Sequence, residues 1–342
     1  MRRSWPPLPL ALLFLAVPQP ARCATPAHAA CSDPARADED FAFQGEYAGE
    51  ATIDGQSLRL GIQVVALGDG AFAVVAYPGG LPGDGWVPPE TMRGTGMRRG
   101  VGKEAIVTLE GVDWTGRKRR GEIRAGAVVA VAEDGTIVAR FPKVDRTSPT
   151  LGKQPPPGAV VICDGPGPVD ESTTLERPRL TEDGLLMEGV TTKAEFGDAQ
   201  WHVEFRLPYQ PHDRGQGRGN SGAYFNGSYE VQMLDSFGLE GKDNECGGIY
   251  KAAPPKVNMC LPPLAWQTYD VDVTAPRFEN GRKVENARLT VRHNGVVIHD
   301  AVEVAGVTPG GPVKEERPTG PLHLQDHGNP VRYRNIWVVP KP

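Results

Sequence analysis

Several motifs that mark common enzyme classes do not occur in this sequence. It has no Cys-x-x-Cys pair, no His-Glu-x-x-His and no EF-hand spacing, so the metal sites that these motifs build are not indicated. A Gly-x-Ser-x-Gly elbow is also missing, and the glycines from Gly215 to Gly219 lack the strand-to-helix setting of a phosphate-binding loop. These absences argue against α/β-hydrolases, P-loop NTPases and dinucleotide-binding enzymes.

Cysteine and positive charge are scarce as well. The 342 residues include five cysteines, too few for a fold built on disulfides. Cys246 and Cys260 lie 14 positions apart and are the candidate disulfide, with two separate buried thiols as the alternative. A formal net charge of −5, without a basic patch, argues against nucleic acid as a partner.

Long apolar runs are absent except near the N-terminus. Arg2 and Arg3 precede the apolar run from Leu8 to Val17, and small residues follow as far as Ala30. This pattern predicts a signal peptide over residues 1–30, because the run is too short to span a bilayer. We therefore expect an exported chain, periplasmic or secreted, without a membrane span.

Glycine and proline are abundant, at 42 and 33 residues, and no stretch has a convincing helical period. We therefore expect an all-β fold of short strands and tight turns. The length suggests two domains, a small β-rich domain over 44–146 and a second over 159–342, joined by a stiff Pro-rich linker at 147–158 without packing contacts. Nothing indicates the role of the first domain, whose Trp86 either plugs a barrel end or stacks on a sugar.

The second domain has clear strand signals. Trp201, Val203, Phe205 and Leu207 alternate with polar residues, as in a half-buried strand. Further along, Asn294-Gly295 separates two alternating segments and predicts a tight hairpin. These patterns favour an antiparallel β-sandwich or jelly roll.

The stretch from Gly219 to Cys246 holds the main candidate site. Residues 229–234 alternate, so Glu230 and Gln232 point away from the apolar face. A β-bulge or the end of the strand would bring Asp235 beside them. Two carboxylates and an amide in a row can carry out proton transfer on a sugar. A solvated strand is the alternative.

Polar residues near the C-terminus add further candidates. His327 follows Asp326 in a loop, and an imidazole beside a carboxylate can act as acid or base near neutral pH. Gln325 shares a strand face with His323, and Arg332 lies on the final strand, from which it can reach a concave face. A turn histidine and charges on an edge strand are the alternatives.

A metal site is weakly indicated. Asp243, Asn244 and Glu245 have the oxygen ligands that Ca²⁺ prefers. An ordinary polar loop is the alternative, and we expect no other cofactor.

Four segments together resemble a known family. They are GNSGAYFNGSYEVQMLDSFG at 219–238, NECGGIYKAAPPKVNMCLPPLAWQTYDV at 244–271, RLTVRHNGVVIHD at 288–300 and LQDHGNPVRYRNIWV at 324–338. The sequence over 159–340 is similar to the 3-keto-disaccharide hydrolase domains, a family long described as a domain of unknown function. The region 44–146 lies outside this resemblance.

The resemblance implies a concanavalin A-like jelly roll that cleaves the glycosidic bond of 3-keto-disaccharides or other 3-keto-glycosides. A sugar 3-oxidoreductase would then supply the substrate as a partner in the pathway. The family's motif positions fall on Glu230, Asp235 and His327, which we expect to be catalytic. They also fall on residues that we expect to bind substrate, namely Asn220, Ser221, Gln232, Tyr250, Gln325 and Arg332.

Chemistry favours elimination after removal of the C2 proton, because a 3-ketone acidifies that proton and disfavours an oxocarbenium at C1. Two alternatives stay open. The spacing Glu230-x-Gln232-x-x-Asp235 is similar to the Glu-x-Asp-x-x-Glu strand of laminarinase-like glycosidases, with Gln232 in place of the middle acid. The same fold also occurs in carbohydrate-binding, lectin-like modules.

Overall fold

The computed structural model describes residues 29–53, 55–167 and 175–342. Most of the predicted signal peptide, residues 1–28, lies outside the described residues. The described chain consists of antiparallel strands, turns and short 3₁₀ helices at Pro34–Arg36, Glu39–Ala42, Gly102–Glu104 and Gly215–Gly217. The predicted all-β class is confirmed. No helix in these ranges is both long and apolar enough to cross a membrane.

The first eight strands close into an antiparallel barrel in which each strand pairs with the next and β1 pairs with β8. Their bounds are β1 Gly45–Ile53, β2 Gln56–Gly68, β3 Ala71–Pro78, β4 Met92–Arg99, β5 Ile106–Val112, β6 Lys118–Arg124, β7 Ala127–Val131 and β8 Ile137–Val144. Closure leaves no free edge along the pairing path, which removes a site for edge-to-edge aggregation.

Alternate barrel residues fill its interior. Tyr47, Ile62, Val64, Phe72 and Phe141 are among the buried side chains of this core, as the period of two along each strand requires. Outside it, the ring of Trp86 meets that of Tyr77 edge to face at 5.0 Å. Its indole N–H donates to the Glu90 carbonyl. Trp86 therefore packs on the outside of the barrel, against Tyr77.

The remaining strands form a β-sandwich with a small hairpin. One sheet has five strands in the order β10-β12-β21-β14-β15, and the other follows β11-β22-β13-β16-β19-β20, with β9 also paired to β22. Their bounds are β9 Val160–Cys163, β10 Leu175–Glu176, β11 Leu186–Met187, β12 Val190–Thr192, β13 Ala199–Arg206, β14 Ser221–Phe225, β15 Tyr229–Met233, β16 Trp266–Thr274, β17 Arg277–Glu279, β18 Arg282–Glu285, β19 Ala287–His293, β20 Val296–Val304, β21 His323–Leu324 and β22 Arg332–Pro340.

The core of the sandwich lies between its two sheets. Trp201, Val203 and Phe205 of β13 face Phe225 and Val231 of the five-stranded sheet in one buried cluster. The predicted hairpin at Asn294-Gly295 joins β19 to β20, and both residues have the positive φ that its turn requires, 50° and 80°. The predicted jelly-roll-like sandwich is confirmed.

The barrel and the sandwich share contacts. Val65 of β2 belongs to the sandwich core, while Tyr209 and Leu264 of the sandwich belong to the barrel core. Arg218 donates a hydrogen bond to the Ala66 carbonyl at 3.2 Å. The barrel therefore packs directly on the sandwich.

The segment 147–158 does not match the expected connector without packing contacts. Thr150 donates to the Asp270 carboxylate at 2.7 Å, and the N–H of Gly152 donates to Glu204. His202 lies between these acids, 2.9 Å from Asp270 and 3.5 Å from Glu204. The three prolines at 155–157 follow these hydrogen-bonded residues, so only the C-terminal part of the segment resembles the expected spacer.

The predicted disulfide is wrong in this structure. Cys246 and Cys260 are both free and buried, although their thiols are close enough to influence each other's pKa. The Cys246 thiol also lies 3.2 Å from the Tyr269 hydroxyl. Burial raises the pKa of Cys260 well above its ordinary value, so this sulfur stays protonated and packs as a small apolar group.

Candidate active site

A row of polar side chains crosses the outer face of the five-stranded sheet. Glu230 on β15 pairs with Tyr224 on β14, Tyr224 with His323 on β21, His323 with Thr191 on β12, and Thr191 with Glu176 on β10. The neighbours of these residues along each strand lie in the core, so the row faces outward. We call it the outer row.

Glu230 is the most enclosed carboxylate of the outer row. Its side chain is 2% exposed, and its Oε2 lies 2.6 Å from the Tyr224 hydroxyl. Its backbone N–H donates to the Thr308 hydroxyl. Burial raises the pKa of Glu230 to about 7, against the smaller opposing effect of the Tyr224 hydrogen bond. The carboxyl can therefore give or accept a proton near neutral pH.

Glycine at position 222 makes room for this carboxyl. Gly222 pairs with Gln232 on the neighbouring strand, and the Glu230 side chain lies across its Cα. A Cβ built on Gly222 would lie 2.1 Å from Glu230 Oε1 and 2.8 Å from its Cδ. Any larger residue at position 222 therefore displaces the carboxyl.

The Tyr224 hydroxyl has one proton and two acceptors within hydrogen-bond distance. It lies 2.6 Å from Glu230 Oε2 and 2.8 Å from the Pro309 carbonyl, and it accepts from the Gln325 amide at 3.2 Å. A phenol has one proton, so an ionised Glu230 and Pro309 compete for it. A protonated Glu230 donates to the phenol instead, and the phenol donates to Pro309. This arrangement satisfies both contacts and agrees with the raised pKa of Glu230.

The outer row is closed beyond Glu230. The segment 247–250 runs along the free edge of β15, where Gly247, Gly248 and Tyr250 exchange backbone hydrogen bonds with Gln232 and Glu230. Tyr250 is half-buried and close enough to Tyr224 for their phenols to interact electrostatically. This segment and the Thr308–Pro309 loop form a wall at this end.

Amide side chains lie beside Glu230. Gln232 donates to Gln216 Oε1 at 3.1 Å, and Asn220 donates to the Gln216 carbonyl at 2.7 Å. The Oδ1 atom of Asn220 is buried and has no hydrogen-bond partner in the described ranges. The structure thus brings the predicted residues Asn220, Gln232, Tyr250 and Gln325 into the surroundings of Glu230.

Asp235 does not join them. Strand β15 ends at Met233, and no bulge returns Asp235 to the face of Glu230. Its carboxylate instead forms a buried ion pair with Arg218 at 2.6 Å and accepts from the N–H of Phe237. This position contradicts the expected role in proton transfer, because the Arg218 cation neutralises the carboxylate and the residue lies beyond the end of β15.

Two predicted substrate contacts also lie elsewhere. Ser221 is on the core face of β14, fully buried, where its hydroxyl contacts the Gln325 carbonyl and the Tyr333 hydroxyl. Arg332 pairs opposite Arg206 on the other sheet and donates to Glu188 at 2.8 Å. Neither side chain reaches the outer row, because strand alternation and sheet membership place them on other faces.

The histidine of the site is His323 rather than His327. His327 is exposed in the loop between β21 and β22, whereas His323 occupies the middle of the outer row, with Nδ1 2.9 Å from the Thr191 hydroxyl. Burial lowers the pKa of His323. The alternation of 320–324 placed His323 on the face of Gln325 and was the signal that could have identified it.

The calcium alternative does not fit the loop at Asp243–Glu245. Glu245 Oε2 accepts from the N–H groups of Gly241 and Lys242 at 2.7 and 3.0 Å, and the Asn244 carbonyl accepts from Gln216. These oxygens hold the turn itself. Across residues 29–53, 55–167 and 175–342, no cluster of His, Cys, Asp and Glu is arranged for a metal.

The open end of the outer row leads into a cavity of about 640 Å³. Thr191 belongs both to the row and to the cavity wall. The cavity is also lined by Glu176, Arg177, Pro178, Gly189 and Lys193. The cavity therefore lies at the β10 and β12 end of the outer row, whereas Glu230 and Tyr224 are buried at the other end and do not line it.

Comparison with known proteins assigns the chain to a family. The model of the 3-keto-α-glucoside-1,2-lyase-like domain matches residues 106–339, so the match begins within the barrel, at β5. Among curated proteins, none matches the chain.

Two solved structures from Parabacteroides distasonis, both described as candidate glycosyl hydrolases, are similar to part of the chain. One is 31% identical to this chain, with a TM-score of 0.49, and the match covers 54% of this chain and 85% of the chain in that structure. The other is 18% identical, with a TM-score of 0.35, and the match covers 54% of this chain and 89% of the chain in that structure. The family match spans well over half of the sequence and confirms the predicted family: the chain belongs to the 3-keto-α-glucoside-1,2-lyase-like, or 3-keto-disaccharide hydrolase, domains of carbohydrate-active enzymes.

Proposed function

We propose that the protein cleaves the glycosidic bond of 3-keto-glycosides by an elimination in which Glu230 moves the C2 proton. The observation that carries the proposal is a single enclosed carboxylate with a pKa raised to about 7, beside hydrogen-bonding side chains on a polar sheet face. Family membership supports a glycoside-cleaving enzyme. The 3-keto substrate and the elimination are our inference.

Ordinary glycosidases need a second carboxylate close to the first. The two carboxyl groups lie roughly 5–10 Å apart in retaining and inverting enzymes. In the outer row the other carboxylate is Glu176, four strand steps from Glu230, which is roughly 19 Å at the usual strand spacing. Asp235 is occupied by Arg218. This arrangement favours a mechanism with one proton-transferring carboxyl.

The elimination needs no oxidant. Glu230 takes the C2 proton, and the C–H electron pair forms the C2–C3 enolate of the ketone. The lone pair on the enolate oxygen then re-forms the C3 carbonyl, and the C2–C3 double bond shifts to C1–C2. This shift breaks the bond from C1 to the leaving oxygen. That oxygen takes up a proton and leaves as an alcohol. Water added across the new double bond gives the free 3-keto sugar.

The residues around Glu230 suit the remaining steps. The second N–H of the Gln325 amide and the Tyr250 hydroxyl are donors near Glu230 that can stabilise the enolate oxygen. Neutral His323 has one N–H and lies in the row beyond Tyr224, where we assign it to donate a hydrogen bond to the leaving oxygen while Glu230 returns to that oxygen the proton that it removed from C2. A sugar 3-oxidoreductase would supply the ketone in the pathway. We also propose that the protein is exported, as the signal-peptide pattern of residues 1–30 predicts.

The test compares oxidised and unoxidised substrates. Purified protein is incubated with 3-keto-trehalose, 3-keto-lactose and the two parent disaccharides, and the products are separated by chromatography. We expect cleavage of the keto sugars alone. Cleavage of the parents alone would support a laminarinase-like hydrolase, and binding without any turnover would support a lectin-like module.

A second experiment addresses the elimination. In D₂O, removal of the C2 proton and rehydration place deuterium at C2 of the product. A product without deuterium at C2, when the free keto sugar does not exchange under the same conditions, would rule out this route. As a variant, Glu230→Gln keeps the shape but not the titrating proton, and we expect it to bind substrate without turning it over.

A further inference from the structure

A loop of the sandwich covers Glu230 and Tyr224. It lies between β20 and β21, and its residues 305–316, all of them described, form no strand or helix. We call these residues the cover loop. Tyr224 is fully buried and Glu230 is 2% exposed, although the outer row faces away from the core of the sandwich. A sugar therefore reaches Glu230 only when the cover loop moves.

Two glycines let the tip of the cover loop lie directly on Tyr224. Gly310 has a φ of 92°, and a Cβ at this position would lie 2.6 Å from the Tyr224 hydroxyl. A Cβ on Gly311 would lie 2.7 Å from Cδ1 of the same ring and 2.6 Å from the Gly227 carbonyl. The carbonyl of Pro309 accepts a hydrogen bond from the Tyr224 hydroxyl at 2.8 Å. The tip thus fills the space over the groups that the proposed reaction uses.

The base of the cover loop is held by an ion pair. The Lys283 ammonium donates to the Ala305 carbonyl at 2.7 Å and contacts the Glu316 carboxylate at 2.5 Å. Glu316 also accepts from the Tyr229 hydroxyl at 2.7 Å. Lys283 therefore joins the two ends of the loop to each other and to the neighbouring hairpin of β17 and β18.

The tip is held by hydrogen bonds between neutral groups. The N–H of Thr308 donates to the Ser228 carbonyl at 2.8 Å, and the N–H of Val313 donates to the Gly227 carbonyl at 3.2 Å. The Thr308 hydroxyl accepts from the backbone N–H of Glu230 at 2.9 Å. Segments with few such contacts open locally at a small cost in free energy, and the lids of active sites are among them. The tip can therefore lift while the base stays joined.

We infer that the cover loop is a lid, which lifts from Tyr224 to admit the glycoside to Glu230 and then closes over it. The inference rests on the proposed function and adds the step by which the substrate enters. Closure removes water from the groups that act on the C2 proton, which strengthens their electrostatic interactions. Reopening lets water reach the new double bond and lets the products leave.

A disulfide that fixes the cover loop in place tests this inference. A Cβ on Gly227 would lie 3.3 Å from the Val313 Cβ, just below the range of about 3.5–4.5 Å in disulfides. Gly227→Cys combined with Val313→Cys therefore joins the loop to the turn between β14 and β15. We expect turnover of 3-keto-trehalose to fall in proportion to the cross-linked fraction, measured by mass spectrometry, and to return when a reductant opens the bond.

The controls are the two single variants and the wild type, in which the described cysteines are free. The same oxidant should leave their turnover unchanged. If the cross-linked double variant turns over as fast as its reduced form, the lid is wrong while the proposed function stands. If the wild type does not cleave 3-keto-trehalose, the proposed function fails, and the lid fails with it because it was inferred from the entry of that substrate.

Hydrogen exchange provides a second measurement that needs no cross-link. In Glu230→Gln, which we expect to bind substrate without turning it over, the amides of residues 305–316 should exchange faster than those of β14. Addition of 3-keto-trehalose should slow them, because the closed lid lies over the bound sugar. Amides that exchange as slowly as those of β14, or at a rate that the sugar leaves unchanged, would overturn the inference.

Discussion

Replacing Gly222 with alanine should abolish turnover while leaving the fold intact. An alanine Cβ would lie 2.1 Å from Glu230 Oε1, 2.8 Å from Cδ and 2.9 Å from Cγ. Carbon atoms in contact stay about 3.5–4.0 Å apart, so three side-chain atoms of Glu230 must move. The carboxyl then leaves the Tyr224 hydroxyl, with which it forms its 2.6 Å hydrogen bond.

The expected effect on stability is small because two contributions oppose each other. Gly222 is not among the residues with positive φ, so alanine fits the backbone and stabilises by about 0.4–1 kcal/mol through the unfolded chain. Loss of the Tyr224–Glu230 hydrogen bond costs about 1–3 kcal/mol. The net loss is therefore about 2.6 kcal/mol at most, whereas displacing a general acid or base lowers the rate about 10²–10⁴-fold.

The assay combines turnover with unfolding. We would measure kcat on 3-keto-trehalose and the urea midpoint for Gly222→Ala, using Gly306→Ala as the matched control, because a Cβ at Gly306 meets nothing within 4 Å. The control should retain wild-type values in both measurements. A Gly222→Ala protein with wild-type turnover would refute the argument that the Glu230 carboxyl, as placed here, performs the chemistry.

Three further predictions concern stability and the thiols. Burial raises the pKa of Glu230 from 4.5 to about 7, so the folded chain keeps a proton that the unfolded chain loses. Stability should therefore fall by about 3 kcal/mol as pH rises through that window. In urea titrations at pH 5 and 8, Glu230→Gln should lack this fall; an equal fall in the variant would assign it to another group. Asp235→Asn leaves Arg218 buried without its partner, so it should lose about 3–5 kcal/mol in urea unfolding but keep its kcat per folded molecule; a large drop in kcat would restore Asp235 to the mechanism. Cys246 and Cys260 should both be alkylated after denaturation without reductant, and a disulfide-linked peptide in the digest would contradict the free thiols.

Much of the fold follows from local patterns in the sequence. The alternation of 201–207 marks β13, and Asn294-Gly295 marks the β19–β20 hairpin, because period and turn chemistry are properties of neighbouring residues. The closure of the barrel is different. Glu46 of β1 pairs with Val144 of β8, and no short-range signal specifies partners so far apart in the chain.

The site could be predicted only in part. Glu230 and Gln232 were identified by alternation. Tyr224 was not, because a two-residue turn at Asn226-Gly227 would pair it with Tyr229, whereas the turn in the structure has three residues, 226–228, and pairs it with Glu230. Arg332 could not be placed in this way, because its face depends on which sheet receives β22 and on a bulge between His202 and Glu204 in the β13 pairing. Both features depend on the tertiary structure and not on the local sequence.

The two predicted carboxylates differ in function because their partners differ. Arg218, 17 residues before Asp235 in the chain, neutralises its carboxylate at 2.6 Å inside the protein. Glu230 is buried to a similar degree, but among the described residues its carboxyl contacts no cation, and its hydrogen-bond partner is the Tyr224 phenol. An uncompensated buried charge costs free energy, so the proton affinity of Glu230 rises into the neutral range, where a group can both remove and return a proton. Two carboxylates of one short motif therefore differ: Asp235 forms a structural ion pair, and Glu230 has the proton affinity that our proposal requires.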